Sequence, residues 1–200
     1  VPKNIFEHCL TVRKTAIFLA KKISESRNKS IESVKIQINP DLVNCCALLH
    51  DLFKVVSLNL LGANKFHSYM PSKDEIEMWN KLKEKYPGMY EGEVAYEVFK
   101  EDYPELAISL KNISDPHKKD KSWEEMLVHY ADWRTFRNKV VSLQERLNYL
   151  QEAYPKGKQI WEKDMKLIFD FEKKLSGIIN ILPENLAKEV LAEEMENGFK

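Results

Sequence analysis

The sequence predicts an all-α fold, a compact bundle of about eight or nine helices in one globular domain. Apolar residues recur at helical spacing along most of the chain, and no strand pattern or sequence repeat appears. Ser-x-x-Glu capping boxes and first-turn prolines mark several helix starts. With 200 residues, 44% of them hydrophobic and 31% charged, the chain can bury a core and is not expected to be disordered over most of its length.

The first half of the chain divides into helices and one long loop. Residues 5 to 26 carry an apolar stripe, and Asn39-Pro40 combines a capping residue with a first-turn proline. We expect the helix that follows to run through His50-Asp51. An aromatic loop over residues 60 to 71 then leads to a capping box at residues 72 to 75, which predicts the start of the next helix.

The second half continues with shorter amphipathic segments. We expect one helix over residues 91 to 101 and another that Pro104 opens. A second capping box, at residues 122 to 125, starts a helical pattern that continues through Leu150 to a break at Tyr154-Pro155. Two further amphipathic segments follow this break.

The break near residue 155 predicts how the chain is organised. We assign residues 1–155 to the main helical domain and residues 156–200 to a C-terminal helical extension packed on it. An amphipathic extension could instead offer its apolar stripe to a partner or to a second copy of the chain, which would make the protein a helical interaction module. Packing within the domain is the expected use, because apolar stripes usually belong to a core.

Charge and cysteine content exclude several classes of protein. The 31 Lys and Arg residues balance 31 Asp and Glu residues, so no basic field favours nucleic acid. Three cysteines, two of them adjacent, make no disulfide framework and fit a reducing compartment. No apolar run approaches the roughly 18 to 20 residues of a membrane span. We expect a cytoplasmic protein without a membrane or nucleic-acid partner, while a homo-oligomer stays open.

His50 and Asp51 stand at the end of a largely apolar helical run that begins at Asn44. Polar side chains that leave water need partners, and a bound cation could serve both residues at once. A histidine bonded to a nearby aspartate in an ordinary core is the alternative. Because adjacent helical residues point about 100° apart, both could reach one metal only at the edge of the helix. Other segments would then have to complete the coordination shell.

Two residues far away in the sequence complete a possible ligand set. His8 and Asp132 each lie in a helical, mostly apolar segment, and with His50 and Asp51 they provide two imidazoles and two carboxylates. That set suits one divalent transition metal, namely Mn²⁺, Fe²⁺, Co²⁺, Ni²⁺ or Zn²⁺, and Mg²⁺ is also open. A coordination position left for water would allow the metal to lower the pKa of that water and to polarise a phosphoryl oxygen.

In this order, His8, His50-Asp51 and the segment His129 to Asp132 resemble the HD-domain superfamily of metal-dependent phosphohydrolases, over residues 4 to 150. The resemblance implies that His8, His50, Asp51 and Asp132 bind the metal. It also implies that Asp51 orients or deprotonates the attacking water. Lys54 stands in a segment similar to the family's His-Asp-x-x-Lys pattern and would lie near phosphate oxygens. Asp51 and Lys54 are therefore the expected catalytic residues.

The sequence departs from the pattern of this family in two places. Binuclear relatives have extra histidines near the positions of Tyr90-Glu91 and Lys111-Asn112, where this chain has none. We therefore expect one metal and not two. Leu52-Phe53 is bulky where relatives have a small residue, which would narrow the pocket.

Three residues are candidates for contact with the substrate. Arg13 and Arg134 could hold a phosphate through their forked donors, although arginines on helix faces are usually ion-paired or solvated. His67 lies in the loop after the metal-binding helix. We expect the substrate to be a phosphomonoester or phosphodiester, with nucleotides and their derivatives as the leading class. The alternative is a regulatory or nucleotide-binding module on the same scaffold with weak or no hydrolase activity.

Overall fold

A computed structural model describes residues 1–27, 36–58, 63, 69–153 and 158–197 of the chain. These residues contain nine α-helices and one pair of short antiparallel strands, which confirms the predicted all-α fold. The helices are α1 (Lys3–Arg27), α2 (Pro40–Leu49), α3 (Lys73–Lys85), α4 (Glu91–Phe99), α5 (Pro104–Ser114), α6 (Trp123–Trp133), α7 (Leu143–Ala153), α8 (Lys158–Ile179) and α9 (Leu186–Asn197). The strands are β1 (Thr135–Phe136) and β2 (Lys139–Val140).

Helix α6 is the most deeply buried helix of the bundle. It packs against α1, α2, α5 and α8, and Leu127, Val128 and Ala131 have no exposed surface. Burying an aliphatic side chain of the size of Leu127 stabilises the fold by about 1.5–3 kcal/mol. Because neighbours surround α6, a buried polar side chain on this helix is stabilised only by partners inside the protein.

Helix α1 is the longest helix, with 25 residues, and it buries one stripe. Val12, Ala16, Leu19 and Ile23 follow the helical period and are all 2% exposed or less. This stripe faces a core shared with α2 and α6. The packing of α1 on α2 and α6 brings three separate parts of the sequence together.

The predicted caps are present and explain where the helices begin. The Asn39 side chain accepts hydrogen bonds from the first backbone N–H groups of α2, and Pro40 opens that helix. Ser72 and Ser122 form the predicted capping boxes with Glu75 and Glu125. Each box pairs two backbone N–H groups that the helix itself leaves without acceptors.

The central helix ends earlier than the sequence predicted. Helix α2 stops at Leu49, and His50 caps it with an N–H that donates to the carbonyl of Cys46. The backbone N–H groups of Leu52 and Lys54 each bond a carbonyl three residues back, so the chain tightens into a turn. The prediction that the helix runs through His50-Asp51 was therefore wrong, and both side chains lie at the end of a helix.

The pattern predicted to continue from residue 122 through Leu150 is interrupted by a hairpin. Strands β1 and β2 pair Thr135 with Val140 and Phe136 with Lys139. Arg137, in the turn, has a φ of 57°, which is the left-handed region. Two-residue strands are too short to show the alternation by which a strand is found in a sequence.

The last two helices lie against the main bundle. Helix α8 packs on α1, α6 and α7, and α9 packs on α1 and β2. Two lysines of α1, Lys14 and Lys21, form ion pairs with Glu194 and Glu193 of α9. The division into residues 1–155 and 156–200 stays a prediction. Of the helices described, none has both the length and the apolar character needed to cross a membrane.

Candidate metal centre

The fold brings His8, His50 and Asp51 together. His8 lies in the second turn of α1, while His50 and Asp51 follow the last turn of α2. One nitrogen of each histidine and one oxygen of Asp51 lie within 4.8 Å of one another, and the two imidazole centres are 5.7 Å apart. The early end of α2 places neighbouring side chains at one helix edge, as a shared ion would require.

The ring of His50 is fixed with one nitrogen unused. Its Nδ1 is 2.9 Å from the carbonyl oxygen of Ala47, which makes Nδ1 the protonated nitrogen and leaves a lone pair on Nε2. Nε2 is buried, has no hydrogen-bond partner among the described residues, and lies 3.8 Å from Oδ2 of Asp51. A buried polar atom without a partner costs about 1–3 kcal/mol. A metal ion bound to Nε2 would remove this cost, so the residues fit such an ion.

His8 connects this group to Asp132. Its Nδ1 lies 3.2 Å from the carbonyl oxygen of Arg137, and its Nε2 lies 2.9 Å from Oδ1 of Asp132. With Nδ1–H donated to the carbonyl, either a proton or a metal ion must lie between Nε2 and the carboxylate. The left-handed turn at Arg137 thus helps to orient His8. All four residues predicted to bind the metal are therefore neighbours.

Asp132 also has a positively charged partner, Arg146, for which the sequence predicted no role. Nη2 of Arg146 lies 3.5 Å from Oδ1 of Asp132. Burial opposes ionisation of Asp132, but the hydrogen bond from His8 and the charge of Arg146 outweigh it and hold the pKa well below the usual value. Nε of Arg146 is buried and finds no acceptor in the part of the chain that is described. Asp132 is thus ionised at neutral pH, as a metal ligand must be.

Asp51 directs its two oxygens to different neighbours. Oδ2 is the oxygen nearest His50, while Oδ1 lies 3.3 Å from Nζ of Lys54. Burial would raise the pKa of Asp51, yet the charge of Lys54 outweighs it and holds that pKa below its ordinary value. Asp51 is therefore a carboxylate acceptor at neutral pH and a weak base.

Lys54 has a second carboxylate partner, Glu91, at the start of α4. Nζ of Lys54 lies 2.5 Å from Oε1 of Glu91, and the other oxygen, Oε2, accepts a hydrogen bond from the hydroxyl of Ser57. Burial would lower the pKa of Lys54, but Asp51 and Glu91 raise it above its ordinary value. Glu91 was not among the functional residues predicted from the sequence, because only the fold brings α4 beside Lys54.

The position of Glu91 is fixed by the neighbouring glycine. A Cβ atom on Gly92 would lie 2.9 Å from Cβ of Ser114 and 3.0 Å from the carbonyl oxygen of Leu110. Only glycine therefore allows α4 to approach α5 this closely. The tight packing holds the first turn of α4, and Glu91 with it, against the turn that carries Lys54.

Cys9 also lies at this centre. Burial, followed by the charges of Asp51 and Asp132, raises the pKa of its thiol above the ordinary value. A thiol must lose its proton to bind a metal strongly. The group of atoms that could share one ion consists of nitrogen and oxygen atoms of His8, His50 and Asp51 and does not include this thiol.

The three residues predicted to contact substrate have different surroundings. Nε of Arg13 donates to Oδ1 of Asn44 at 2.6 Å and ties α1 to α2. Arg134 is 3% exposed, and its guanidinium donates to Glu172, to the Tyr130 hydroxyl and to two backbone carbonyls. The expectation for Arg134 is corrected, since a buried guanidinium with these partners supports the fold and has no free surface for a substrate. His67 lies outside the described residues.

Comparison with known proteins gives one match. A search of curated proteins and a search of solved structures each returned no match. The family model described as HD domain matches residues 5–146, which is well over half of the 200-residue chain. The matched stretch begins just before His8 and ends at Arg146, so it includes every residue of the centre described above. The chain therefore belongs to the HD-domain family.

Proposed function

We propose that this protein is a metal-dependent phosphohydrolase that cleaves a phosphomonoester or phosphodiester, with a nucleotide or nucleotide derivative as substrate. HD domains bind divalent metals and are typically hydrolases. The observation that carries the proposal for this chain is Nε2 of His50, a buried and unpartnered nitrogen grouped with ligand atoms of His8 and Asp51. Nε2 of His129 is also buried without a hydrogen-bond partner, so the feature that distinguishes His50 is the group of ligand atoms from His8 and Asp51 around its nitrogen.

The proposed ligands of the metal are His8, His50, Asp51 and Asp132. They would hold one divalent ion, for which Mn²⁺, Fe²⁺, Co²⁺, Ni²⁺ and Zn²⁺ suit the mixed donors and Mg²⁺ is compatible. When bound, such an ion would lower the pKa of a water molecule and polarise a phosphoryl oxygen. The low pKa of Asp51 supports a role in which its carboxylate orients the attacking water by accepting a hydrogen bond.

Lys54 is the proposed partner of the phosphate. Its ammonium has three N–H donors, of which one donates to Glu91, while Asp51 forms an ion pair with it at 3.3 Å; the side chain is 35% exposed. A further donor is available to a phosphoryl oxygen that approaches from solvent. A fixed positive charge beside the phosphoryl group stabilises the charge that develops there in the transition state.

The second candidate function is a regulatory module that binds metal or nucleotide and hydrolyses poorly. The contacts of Lys54 favour it, because two carboxylates already share the charge of this ammonium. A cation neutralised in this way would stabilise a phosphoryl transition state less than a free one would.

The test is phosphate release by the metal-stripped protein after addition of Mn²⁺, Co²⁺, Ni²⁺ or Mg²⁺. The substrates are a panel of nucleoside mono-, di- and triphosphates, cyclic and linear dinucleotides, and a nitrophenyl phosphodiester. We expect metal-restored hydrolysis of at least one substrate class and its loss in His50→Ala and Asp51→Ala. His117→Ala removes an exposed histidine of a turn and should retain the full rate.

Three outcomes separate the candidates. Hydrolysis that needs both metal and His50 supports the phosphohydrolase. Tight nucleotide binding without phosphate release under any metal favours the regulatory module. Undiminished turnover in the folded His50→Ala or Asp51→Ala protein would contradict the proposed centre.

A further inference from the structure

Arg146 is a charged side chain whose hydrogen bonding is left incomplete by the fold. Its Nη2 lies 3.5 Å from Oδ1 of Asp132, which is longer than the about 2.7–3.2 Å of an ordinary N–H···O hydrogen bond. The same oxygen of Asp132 already lies 2.9 Å from Nε2 of His8. Nε of Arg146 is buried and has no acceptor among the described residues. Arg146 thus has an ion-pair partner, but its contact with Asp132 is not a close hydrogen bond.

Arg134 shows how this chain pairs an arginine that serves the fold. Its three guanidinium nitrogens donate to the carbonyl of Val141, to Glu172 and to the carbonyl of Pro183, at 2.6 to 2.9 Å. Every nitrogen of that buried guanidinium therefore has an acceptor. Nε of Arg146 has none in the part of the chain that is described, so the side chain can turn toward an acceptor brought by a ligand without breaking a hydrogen bond at that atom.

An aromatic pair holds the guanidinium of Arg146 beside the metal centre. Its Cζ lies 5.3 Å from the ring centre of Tyr149, and that ring packs on Phe136 of β1 with the two ring centres 4.5 Å apart. An arginine that stacks on an aromatic face keeps the edge of its planar fork available to an anion. The side chains of Arg146 and Asp132 are 15% and 28% exposed, so solvent reaches this side of the centre. A ligand that enters from solvent here would meet both side chains.

Metal binding at the proposed centre would change the charge that Arg146 faces. Without an ion, the carboxylate of Asp132 is paired with His8 and Arg146. With a divalent ion bound, the three carboxylates of the centre, on Asp51, Glu91 and Asp132, would face two side-chain cations and the ion, which leaves one positive charge in excess. This excess favours an anion with several acceptor oxygens. Phosphate is such an anion, and its oxygens match the fork of an arginine in a bidentate pair.

We propose that Arg146 is a phosphate-binding residue of this centre, which holds a phosphoryl group of the substrate once the ion is bound. The inference rests on the proposed function, since it assumes a phosphate ester and a metal at His50. It adds a contact on the side of Asp132, whereas Lys54 lies on the side of Asp51. Ion and phosphate should then bind cooperatively, because each offsets the charge of the other, and Arg146 carries part of this coupling.

The alternative is that Arg146 only orients Asp132 as a metal ligand. The two roles make different predictions for metal binding. If Arg146 only orients the carboxylate, its removal weakens the binding of metal and has no separate effect on phosphate. If Arg146 binds phosphate, its removal takes away a positive charge that opposes the ion. Metal affinity is then retained or increased, while phosphate affinity falls.

The experiment is calorimetric titration of the full-length protein with inorganic phosphate, with and without saturating Mn²⁺. We expect phosphate to bind the wild type about tenfold or more tightly when Mn²⁺ is present. Arg146→Met should lose about tenfold in phosphate affinity, because hydrogen bonds to charged groups contribute this much, and should bind Mn²⁺ at least as tightly as the wild type. Phosphorus NMR is a second readout, since bound Mn²⁺ broadens the signal of a neighbouring phosphate. Neither measurement depends on turnover.

Matched variants separate the charge, the fork and the stacking of the guanidinium. Arg146→Lys keeps a positive charge without the planar fork, so its phosphate affinity should lie between those of the wild type and Arg146→Met. Tyr149→Leu removes the ring beneath the guanidinium and should weaken phosphate binding, whereas Tyr149→Phe keeps that ring and should match the wild type. Lys81→Met removes an exposed lysine paired with Glu77 and should also match it. Circular dichroism confirms that each variant is folded.

The failures of the two proposals are distinguishable. A wild-type protein that binds no ion contradicts the proposed metal centre. An ion that binds as proposed, with equal phosphate affinity in the wild type and Arg146→Met, overturns the inference about Arg146 and leaves the centre intact. Weaker Mn²⁺ binding in Arg146→Met, without a loss of phosphate affinity at saturating Mn²⁺, would also overturn it and would assign Arg146 to the orientation of Asp132.

Discussion

Helix α6 carries residues of two buried polar clusters that differ in how their atoms are paired. The arginine cluster consists of Tyr130, Arg134 and Glu172 and joins α6 to α8. In it, the Arg134 guanidinium and the Tyr130 hydroxyl both bond Oε2 of Glu172, each at 2.7 Å. Nε and Nη2 of Arg134 bond the carbonyls of Val141 and Pro183. Within this cluster, the positive charge of Arg134 is paired with the negative charge of Glu172, and the hydrogen-bond donors have acceptors.

The metal centre contains two buried histidines and two partly exposed aspartates, and it leaves atoms without hydrogen-bond partners. Nε2 of His50 has no hydrogen-bond partner among the residues described, and Nε2 of His8 lies 2.9 Å from Oδ1 of Asp132, where either a proton or a metal ion could join them. Two acids whose pKa values are held low, Asp51 and Asp132, lie beside these histidines. Lys54 and Arg146 supply positive charge to these carboxylates, and a bound cation would add more.

The difference shows how structural and functional polar groups can be distinguished in one bundle. The arginine cluster is complete in itself and explains only stability. The metal centre is incomplete in itself, and incomplete polar sites persist where binding supplies what is missing. We therefore expect substitutions in the arginine cluster to lower the free energy of unfolding, whereas substitutions in the metal centre should weaken metal binding.

The largest effect is expected from Arg134→Met, which removes the cation of the arginine cluster. Glu172 then loses its charged partner while it remains buried, so the free energy of unfolding should fall by about 3–5 kcal/mol. Urea denaturation followed by circular dichroism measures this loss. The matched variant Lys81→Met breaks an exposed ion pair and should cost no more than about 1 kcal/mol. Equal losses in the two variants would contradict the assignment of Arg134 to the fold.

Addition of metal should stabilise the protein by binding at the metal centre. At a free metal concentration 100 times the Kd, the free energy of unfolding should rise by about 2.7 kcal/mol, and a chelator should reverse the gain. Denaturation with and without Mn²⁺ measures it. His50→Ala should show no such gain, whereas His117→Ala should show it in full. A gain of the same size in His50→Ala would place the bound metal elsewhere.

Tyr130→Phe should have a smaller effect than Arg134→Met on the same cluster. The substitution keeps the ring but removes a hydroxyl that donates to Glu172 and accepts from Arg134. Hydrogen bonds to charged groups contribute about 1.5–3 kcal/mol, so the free energy of unfolding should fall by an amount in that range. Tyr103→Phe, at an exposed position, should leave it unchanged. The affinity for metal should be the same in both variants, and a large drop in Tyr130→Phe alone would mean that the two clusters are not independent.

The smallest effect is expected at the beginning of α6, away from both clusters. Ser122→Ala removes the side chain that accepts from the N–H of Glu125, which should cost about 1 kcal/mol of stability. Denaturation measures the loss, and Ser122→Asp, which restores an acceptor, should recover most of it. Altered metal affinity in Ser122→Ala would show that the metal centre depends on the whole helix.

The sequence predicted the fold class and the helix starts because these depend on local signals. Capping at Asn39, Ser72 and Ser122 depends on a few adjacent residues, and each cap is present where the sequence pattern predicted it. The end of α2 at Leu49 and the hairpin after α6 were not predicted. Both have weak local signals and depend on tertiary packing, which overrides propensity over so few residues.

The candidate site was predicted in part. Residue types and their order pointed to His8, His50, Asp51 and Asp132, and the fold makes these residues neighbours. Glu91 and Arg146 could not be assigned in the same way, because charged residues on helices usually face solvent. Arg134 was misread for the same reason, since a sequence does not show that Glu172 lies beside it.

The proposed function requires that the unpaired atoms of the metal centre bind one metal ion. Elemental analysis of the purified protein, metal-stripped and then reloaded with Mn²⁺, Co²⁺, Ni²⁺ or Zn²⁺ and freed of excess ion, tests it most directly. We predict one ion per chain in the wild type and none in His50→Ala. No ion in the wild type under any of these loadings would contradict the account and would make His8, His50, Asp51 and Asp132 structural residues.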